Sequence, residues 1–256
     1  MPDKIQKIKA YWDAQGRQHG SDLRATMPDP LLKELELDAL KEVLDPSKAT
    51  LEAGCGNGFN LFALQKSFQA SLCGFDYSEE LIKAAIGHVA KEGYTDIDFS
   101  VGNILDDLSA TGEFEQIFTD RCLINLSTHE EQCQAALNLA SILSSGGLLA
   151  LVECSKQSLD NLNRLRNAAG LSEIEVHWHN RYLDEDEFIA ALSDEMIYVQ
   201  TVAFSSLYYI ASRVFNAALT SEGDSPDYMA EINKCARKLP SVGDCGPHKL
   251  FLFRKP

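Results

Sequence analysis

The chain has 256 residues, 45% hydrophobic and 24% charged, which is enough for one large α/β domain with decorations or two modest ones. Its 23 Lys+Arg against 38 Asp+Glu give a net charge of −15 with no basic stripe, so the composition argues against nucleic acid and anionic lipid as partners. No apolar run approaches the roughly 20 residues of a membrane helix, and the charged start MPDKIQKIKAYWD lacks a signal-peptide core, so we expect a cytoplasmic protein away from membranes.

In chain order, a helix is predicted around residues 3–14, followed by the polar loop HGSDLRATMPDP and a second helix at 30–44, with Pro30 in its first turn. Strands then alternate with helices. ATLEA (49–53) leads through a glycine cluster into the helix FNLFALQKSF. The strand SLCGFD ends at Asp76, and Ser78 caps the helix EELIKAAIGHVA. DIDFSVG and FEQIFTD read as the third and fourth strands. The helix THEEQCQAALNLASIL follows, and LLALVE is the fifth strand. This alternation predicts a Rossmann-like, doubly wound, mostly parallel sheet with helices on both faces.

After residue 155 the alternation loosens. Helices are expected at 158–170 and 184–193, an extended piece at 174–179 and a strand at 196–204. A helix at 206–219, the linker TSEGDSPD, a helix at 227–238 and the final strand HKLFLFRK complete the chain. The 206–246 stretch is long for a simple connection and reads as a helical insertion capping the site. The expected organisation is an N-terminal helical extension (1–46), acting as a lid, and a main α/β domain (47–256).

The seven cysteines, Cys55, Cys73, Cys122, Cys133, Cys154, Cys235 and Cys245, form no CxxC pair and no zinc spacing. They read as small thiols in a reducing compartment, and no metal is expected.

The chemistry points to residues 51–58, LEAGCGNG, between a strand and a helix. Gly54, Gly56 and Gly58 give GxGxG, with bare backbone that a ligand can approach and helix N–H groups beyond it. The dinucleotide fingerprint needs glycine at 59, where the chain has Phe59. Glu52 opposes a diphosphate but suits a ligand carrying an ammonium and a sulfonium. Asp76 lies 18 residues beyond Gly58, an offset at which a carboxylate accepts hydrogen bonds from ribose hydroxyls. A dehydrogenase is therefore disfavoured.

LEAGCGNG resembles motif I of the class I S-adenosylmethionine-dependent methyltransferases, and GFDYS resembles their acidic second motif. VGNIL resembles the third-strand motif beside the adenine, FTDRCLINL the fourth-strand motif beside the methyl group, and GGLLALVE the fifth-strand segment. These matches span residues 49–153. The resemblance implies a seven-stranded sheet and S-adenosyl-L-methionine as cofactor. It assigns Glu52, Gly54, Cys55, Gly56, Asn57, Gly58, Asp76, Tyr77, Asn103, Ile104 and Asp120 to cofactor binding. Two positions depart from the family pattern, Glu52 and Asn103, each standing where Asp is usual. The flanks HGSDLRATMPD, YWDAQ and WHNRYLDEDEF resemble a bacterial subgroup that accompanies polysaccharide and natural-product pathways.

Methyl transfer from a sulfonium is an in-line displacement, so the protein chiefly positions and desolvates. Asp120 and Arg121 end the fourth strand, near the expected methyl position. The alternative for them is a structural ion pair or a cap on the next loop. Asn125 is a weaker candidate. His177 and His179 alternate in EVHWHN, and His179 with Asn180 is the preferred base or acceptor clamp; a structural histidine is the plainer reading. His88 reads as solvent-facing and His129 as a helix-start residue. His19, Arg24 and Met27 belong to the expected lid; Tyr11 and Trp12 can pack there too, with core or surface packing the plainer and preferred reading. Arg213, among apolar residues, needs either a structural acid or an anionic acceptor, and the structural acid is preferred. The expected activity is methyl transfer to a small polar acceptor, a hydroxyl oxygen of a sugar or another metabolite. Nitrogen, carboxyl or phosph(on)ate oxygen, and a non-catalytic cofactor-binding module are the alternatives. A monomer or homodimer is expected.

Overall fold

Five runs of β-branched and apolar residues pair in parallel, and the register of that pairing sets the site. The structure, a computed structural model, describes residues 4–221 and 224–256. Strands β1 (Thr50–Ala53), β2 (Leu72–Asp76), β3 (Ile97–Val101), β4 (Phe114–Asp120) and β5 (Leu143–Cys154) run parallel. β6 (Ile197–Val202) and β7 (His248–Arg254) close one side, β7 antiparallel to both neighbours. The strand order is β3-β2-β1-β4-β5-β7-β6. The chain reverses its direction of travel across the sheet between β1 and β4, and the carboxyl ends of strands at such a reversal are where ligands bind in open α/β sheets.

The sheet is covered on both faces, as its near-continuous apolar strands require. Alternate residues serve opposite cores. Leu149, Leu151, Phe251 and Phe253 pack with Ala135 and Leu139 of α5 (His129–Ser141) and Phe188 of α7 (Glu185–Leu192). Leu148, Ala150, Val152, Leu250 and Leu252 pack with Leu40 of α2 (Pro30–Val43), Leu61 of α3 (Phe59–Gln65) and Ile82 of α4 (Glu79–Glu92). A third cluster joins Met27, Leu31 and Leu32 to Leu159 and Leu162 of α6 (Lys156–Ala168) and to Tyr208, Tyr209 and Val214.

Helix starts follow the local chemistry. Asp29 caps α2 ahead of Pro30, Ser78 caps α4, and Thr128 with Glu131 forms a reciprocal capping box on α5. Helix α1 (Lys4–His19) runs five residues past its expected end. Gly16 permits this, because a Cβ there would stand 2.9 Å from the backbone of Glu80 and Leu81 on α4. Residue 3 of the expected helix lies outside the described residues. Residues 174–179 form no strand of the sheet. The Asn163 side chain instead brackets Ile174, accepting from its N–H at 2.8 Å and donating to its carbonyl at 3.1 Å.

Between β6 and β7 the chain forms α8 (Ser206–Tyr209), a π-helical stretch (Ile210–Phe215), α9 (Asn216–Leu219) and the short α10 (Glu231–Arg237). The expected linker between α9 and α10 includes Glu222 and Gly223, which lie outside the described residues. Among the described residues no helix is long and apolar enough to cross a membrane.

Candidate functional site

The loop after β1 opens a cavity of about 900 Å³ at the carboxyl ends of the strands. This is toward the upper end of the roughly 300–1,000 Å³ typical of small-molecule sites. Gly54, Gly56 and Gly58 all adopt positive φ, which glycine tolerates and side chains resist. A Cβ at Gly54 would overlap the Cys122 side chain, and one at Gly56 would reach 3.0 Å from Thr26 Cγ2. The backbone of Gly54 and Gly56 thus forms cavity wall.

Asp76, at the tip of β2, accepts from Gly56 N at 2.9 Å and Ser78 N at 2.8 Å while still lining the cavity. Burial pushes its pKa up to about 6, against the pull of those two N–H bonds. Tyr77 beside it presents a buried hydroxyl with no partner among the described residues. Asn103 and Ile104 line the same end. The Asn103 carbonyl oxygen accepts from Leu105 N at 3.2 Å, and its amide donates to Asp106.

Several residues assigned by motif sit behind this wall. Glu52, Cys55, Asn57 and Gly58 do not line the large cavity; the first three line only a separate void of about 30 Å³. Glu52 is fully buried under the loop. Its Oε1 accepts from Asn60 at 2.7 Å, and desolvation raises its pKa well above the ordinary carboxylate range. Asn57 instead holds the N-terminal segment, donating to the Gly20 and Asp22 carbonyls at 2.9 Å each. Gly58 is required because Phe99 and Phe62 crowd it.

Asp120 and Arg121 reach the cavity, but as members of a buried ion cluster. Lys33 pairs with Asp120 and, at 2.7 Å, with Glu36. Arg121 Nε lies 3.2 Å from Glu36 and 3.3 Å from Asp120, and His248 Nδ1 lies 2.6 Å from Glu36. Arg121 alone among the described non-glycine residues has positive φ, at 58°. Its guanidinium also donates to the Thr26 carbonyl at 2.9 Å. The structural ion pair is therefore what the geometry displays, and it joins α2, β4 and β7.

The sequence reading missed Lys33 and Glu36. A signal existed: Lys33 and Glu36 share one helical face with Leu37 and Leu40, so that face points inward. It missed Glu153 too. Buried at the end of β5, Glu153 accepts from Cys122, Leu123 and Ile124 N–H groups at 3.0–3.2 Å and from Thr119 Oγ1 at 2.7 Å. It thereby shapes the loop after β4. Burial still raises its pKa to about 7.

His179 is 8% exposed and lines the cavity. Its ring stacks on Tyr11 (centroids 4.7 Å apart) and His177 (5.7 Å), with Trp12 edge-on. Trp12 Nε1 donates to Asn125 Oδ1 at 3.1 Å. Desolvation, reinforced by His177 and Lys4, lowers the His179 pKa to about 4. Its Nδ1 and the neighbouring Asn180 Oδ1 are buried without hydrogen-bond partners among the described residues.

The remaining histidines stand apart. His88 packs on Phe62, His129 meets the Cys133 thiol, and His19 ends α1. Arg24 pairs with Asp22 at the surface, whereas Met27 is buried and lines the cavity.

Residues 44–233 match the family model described as "Methyltransferase domain". The chain belongs to that family. Similar folds include geranyl diphosphate C-methyltransferase from Streptomyces coelicolor A3(2), with TM-score 0.63 and 12% identity, covering 100% of this chain and 98% of that one. N-methyltransferase NodS from Bradyrhizobium japonicum WM9 aligns with TM-score 0.55 and 16% identity over 100% of both chains. Magnesium protoporphyrin IX methyltransferase (ChlM) from Synechocystis PCC 6803 gives TM-score 0.54 and 15% identity, over 89% of this chain and 82% of that one. The enzyme is an S-adenosylmethionine-dependent methyltransferase. Its residues fit that donor: bare backbone at Gly54 and Gly56 and the Asp76 carboxylate line the cavity together, with Tyr77 beside them carrying a buried, unpartnered hydroxyl.

Proposed function

We propose that this methyltransferase modifies a hydroxyl oxygen of a small metabolite, with His179 beside the reacting group and Asp76 holding the donor's ribose. The observation that carries this reading is the unpartnered Nδ1 of His179, buried on the cavity wall. A buried polar atom without a partner costs about 1–3 kcal/mol, which a ligand hydrogen bond recovers.

When bound, the donor supplies a methyl group already activated on sulfur. The protein's own residues do the rest. Asp76 accepts from the ribose hydroxyls while Gly56 and Ser78 N–H groups fix its carboxylate. Tyr11 and Trp12 pack against His179 and shield its ring from solvent. At pKa about 4 the imidazole is neutral at neutral pH. It orients the acceptor O–H and receives the proton late, because an oxygen that has gained a methyl carbon releases its proton even to a weak base. Asn180 Oδ1 offers a second contact to a donor group on the acceptor.

The test is incubation with labelled S-adenosylmethionine and a panel of sugars, phenols, amines and carboxylates, reading S-adenosylhomocysteine and the methylated product. An O-methyl ether is expected. His179→Gln is expected to lower kcat while leaving S-adenosylhomocysteine affinity within about twofold. Methyl found on carbon or nitrogen, or an unchanged kcat in the variant, overturns the reading.

A further inference from the structure

The cavity extends from the glycine loop to the segment between β6 and β7, which lines it through Tyr209, Ser212 and Ala217. Arg213, in the π-helical stretch, lines it. Single π-helical turns recur at functional sites. Its guanidinium is surrounded by three tyrosine rings, with centroids 5.8 Å (Tyr208), 5.1 Å (Tyr209) and 4.6 Å (Tyr228) away. Nη2 donates to Asp29 at 2.7 Å and Nη1 to Ser212 Oγ at 2.9 Å.

The Asp29 pair accounts for the burial of Arg213, as the sequence led us to expect, but it leaves donors over. Guanidinium carries five N–H groups. Asp29 and Ser212 take two, and the Tyr208 hydroxyl, which itself donates to Asp29 at 2.8 Å, stands in the same cluster. At least two remain, on a side chain only 16% exposed. Asp29 is largely spent as well, since it also caps α2 through Leu32 N at 3.1 Å. Arg166 adds a second positive charge behind Arg213, whose carbonyl it contacts. The other acid on this wall, Glu175, is exposed to solvent, where its field is screened. Apolar and aromatic side chains line the same cavity, Leu159, Ile174 and Tyr182 with Tyr209 and Tyr228, together with the hydroxyl residues Ser212 and Ser225. In a chain of net charge −15, a tyrosine-walled guanidinium with donors to spare is a local exception.

We infer that the methyl acceptor carries a carboxylate on an apolar or aromatic body, and that Arg213 anchors this carboxylate on the cavity wall while a different atom of the acceptor meets the donor. This inference rests on the methyltransferase reading of the glycine-loop end and narrows the acceptor away from neutral sugars. A planar carboxylate matches the guanidinium fork, and the ring faces suit a flat body.

The test is calorimetry on the full chain saturated with S-adenosylhomocysteine, using benzoate, 3-phenylpropionate and octanoate, each against its amide. At least one carboxylate is expected to bind about tenfold or more tighter than its amide. Arg213→Gln is expected to abolish that preference. Asp29→Asn keeps a side chain able to cap α2 and removes the competing charge, so it is expected to strengthen the preference. The Asn variant decides the matter if the Gln variant does not fold. Equal binding of acids and amides, or a preference that Asp29→Asn leaves unchanged or weakens, overturns the inference, as does formation of a methyl ester at the anchored carboxylate. S-adenosylhomocysteine binding is measured first. Its absence sinks the functional reading, whereas its presence without carboxylate preference sinks only the anchor.

Discussion

Trp12 and Asn125 are hydrogen-bonded across 113 positions of sequence, the indole N–H of α1 donating to the side-chain carbonyl of the loop after β4. Asn125 in turn donates to the Arg121 carbonyl at 2.8 Å. The N-terminal helix is thereby tied to the strand end beside which the methyl group is expected. Trp12→Phe keeps the ring packing against His179 and removes one hydrogen bond, worth about 1 kcal/mol. S-adenosylhomocysteine should bind up to about fivefold more weakly, and the melting temperature should fall by no more than about 2–4 °C. Titration calorimetry beside a melting curve checks this. A fall in melting temperature without any loss of affinity would make Trp12 a structural residue only.

Asp76 predicts a pH dependence whose direction is set by burial. Its folded pKa, about 6, lies above the ordinary aspartate value. The folded state therefore holds a proton that the unfolded chain has released, and stability from this group is full below about pH 4 and fades as pH rises through about 6. Donor binding follows the opposite course, because ribose hydroxyls need the ionised carboxylate as acceptor. Affinity for S-adenosylhomocysteine should rise between about pH 5 and pH 7. Asp76→Asn should flatten that rise, and Asp76→Ala should weaken binding about a hundredfold through loss of charged hydrogen bonds. His179, with its pKa near 4, adds no transition in this window.

The glycine loop, the end of β2 and the order of strands and helices through residue 154 were legible because each is encoded locally, by alternation, caps and glycine spacing. What stayed hidden is long-range. Nothing near Lys33 announces Asp120, and nothing near Arg213 announces Asp29. Motif matching also assigned Glu52 to the ligand, although Asn60 on α3 and the backbone of the loop keep it beneath the cavity wall. The length of α1 was underestimated because Gly16, a helix breaker by propensity, is there a contact point with α4.

The buried cluster around Glu36 predicts a large and specific loss of stability. Lys33 is 4% exposed at its side chain, and Asp120 and Glu36 at 1% and 0% are its partners. Lys33→Met retains the aliphatic volume but leaves Glu36 to Arg121 and His248, and Asp120 to Arg121 and the Asn60 amide, which donates to it at 2.9 Å. Removing one partner of a buried pair costs about 3–5 kcal/mol. The melting temperature should fall by roughly 10 °C for a domain of this size. Lys33→Arg, which keeps the charge, should recover part of it. An unperturbed melting curve for Lys33→Met would mean that the cluster is not held as described.

Gly54 separates a backbone requirement from a chemical one. At φ 72° a β-carbon is strained by about 1–2 kcal/mol. In addition, that carbon would be driven into the Cys122 side chain, whose Cα sits only 3.6 Å from the ideal Cβ position. Cys122 itself is pinned through its N–H to Glu153 Oε1 at 3.1 Å, so the loop after β4 cannot yield without losing bonds to a buried carboxylate. Gly54→Ala should therefore abolish donor binding and lower stability by about 2–4 kcal/mol. Cys122→Ala leaves its own Cβ in place and should not rescue it, whereas Cys122→Gly removes that carbon and should restore part of the stability while leaving donor affinity weak. Denaturant melts on the single and double variants, read beside S-adenosylhomocysteine titrations, check each step. Full rescue of both properties by Cys122→Gly would show that crowding alone, and not the left-handed turn, makes glycine necessary there.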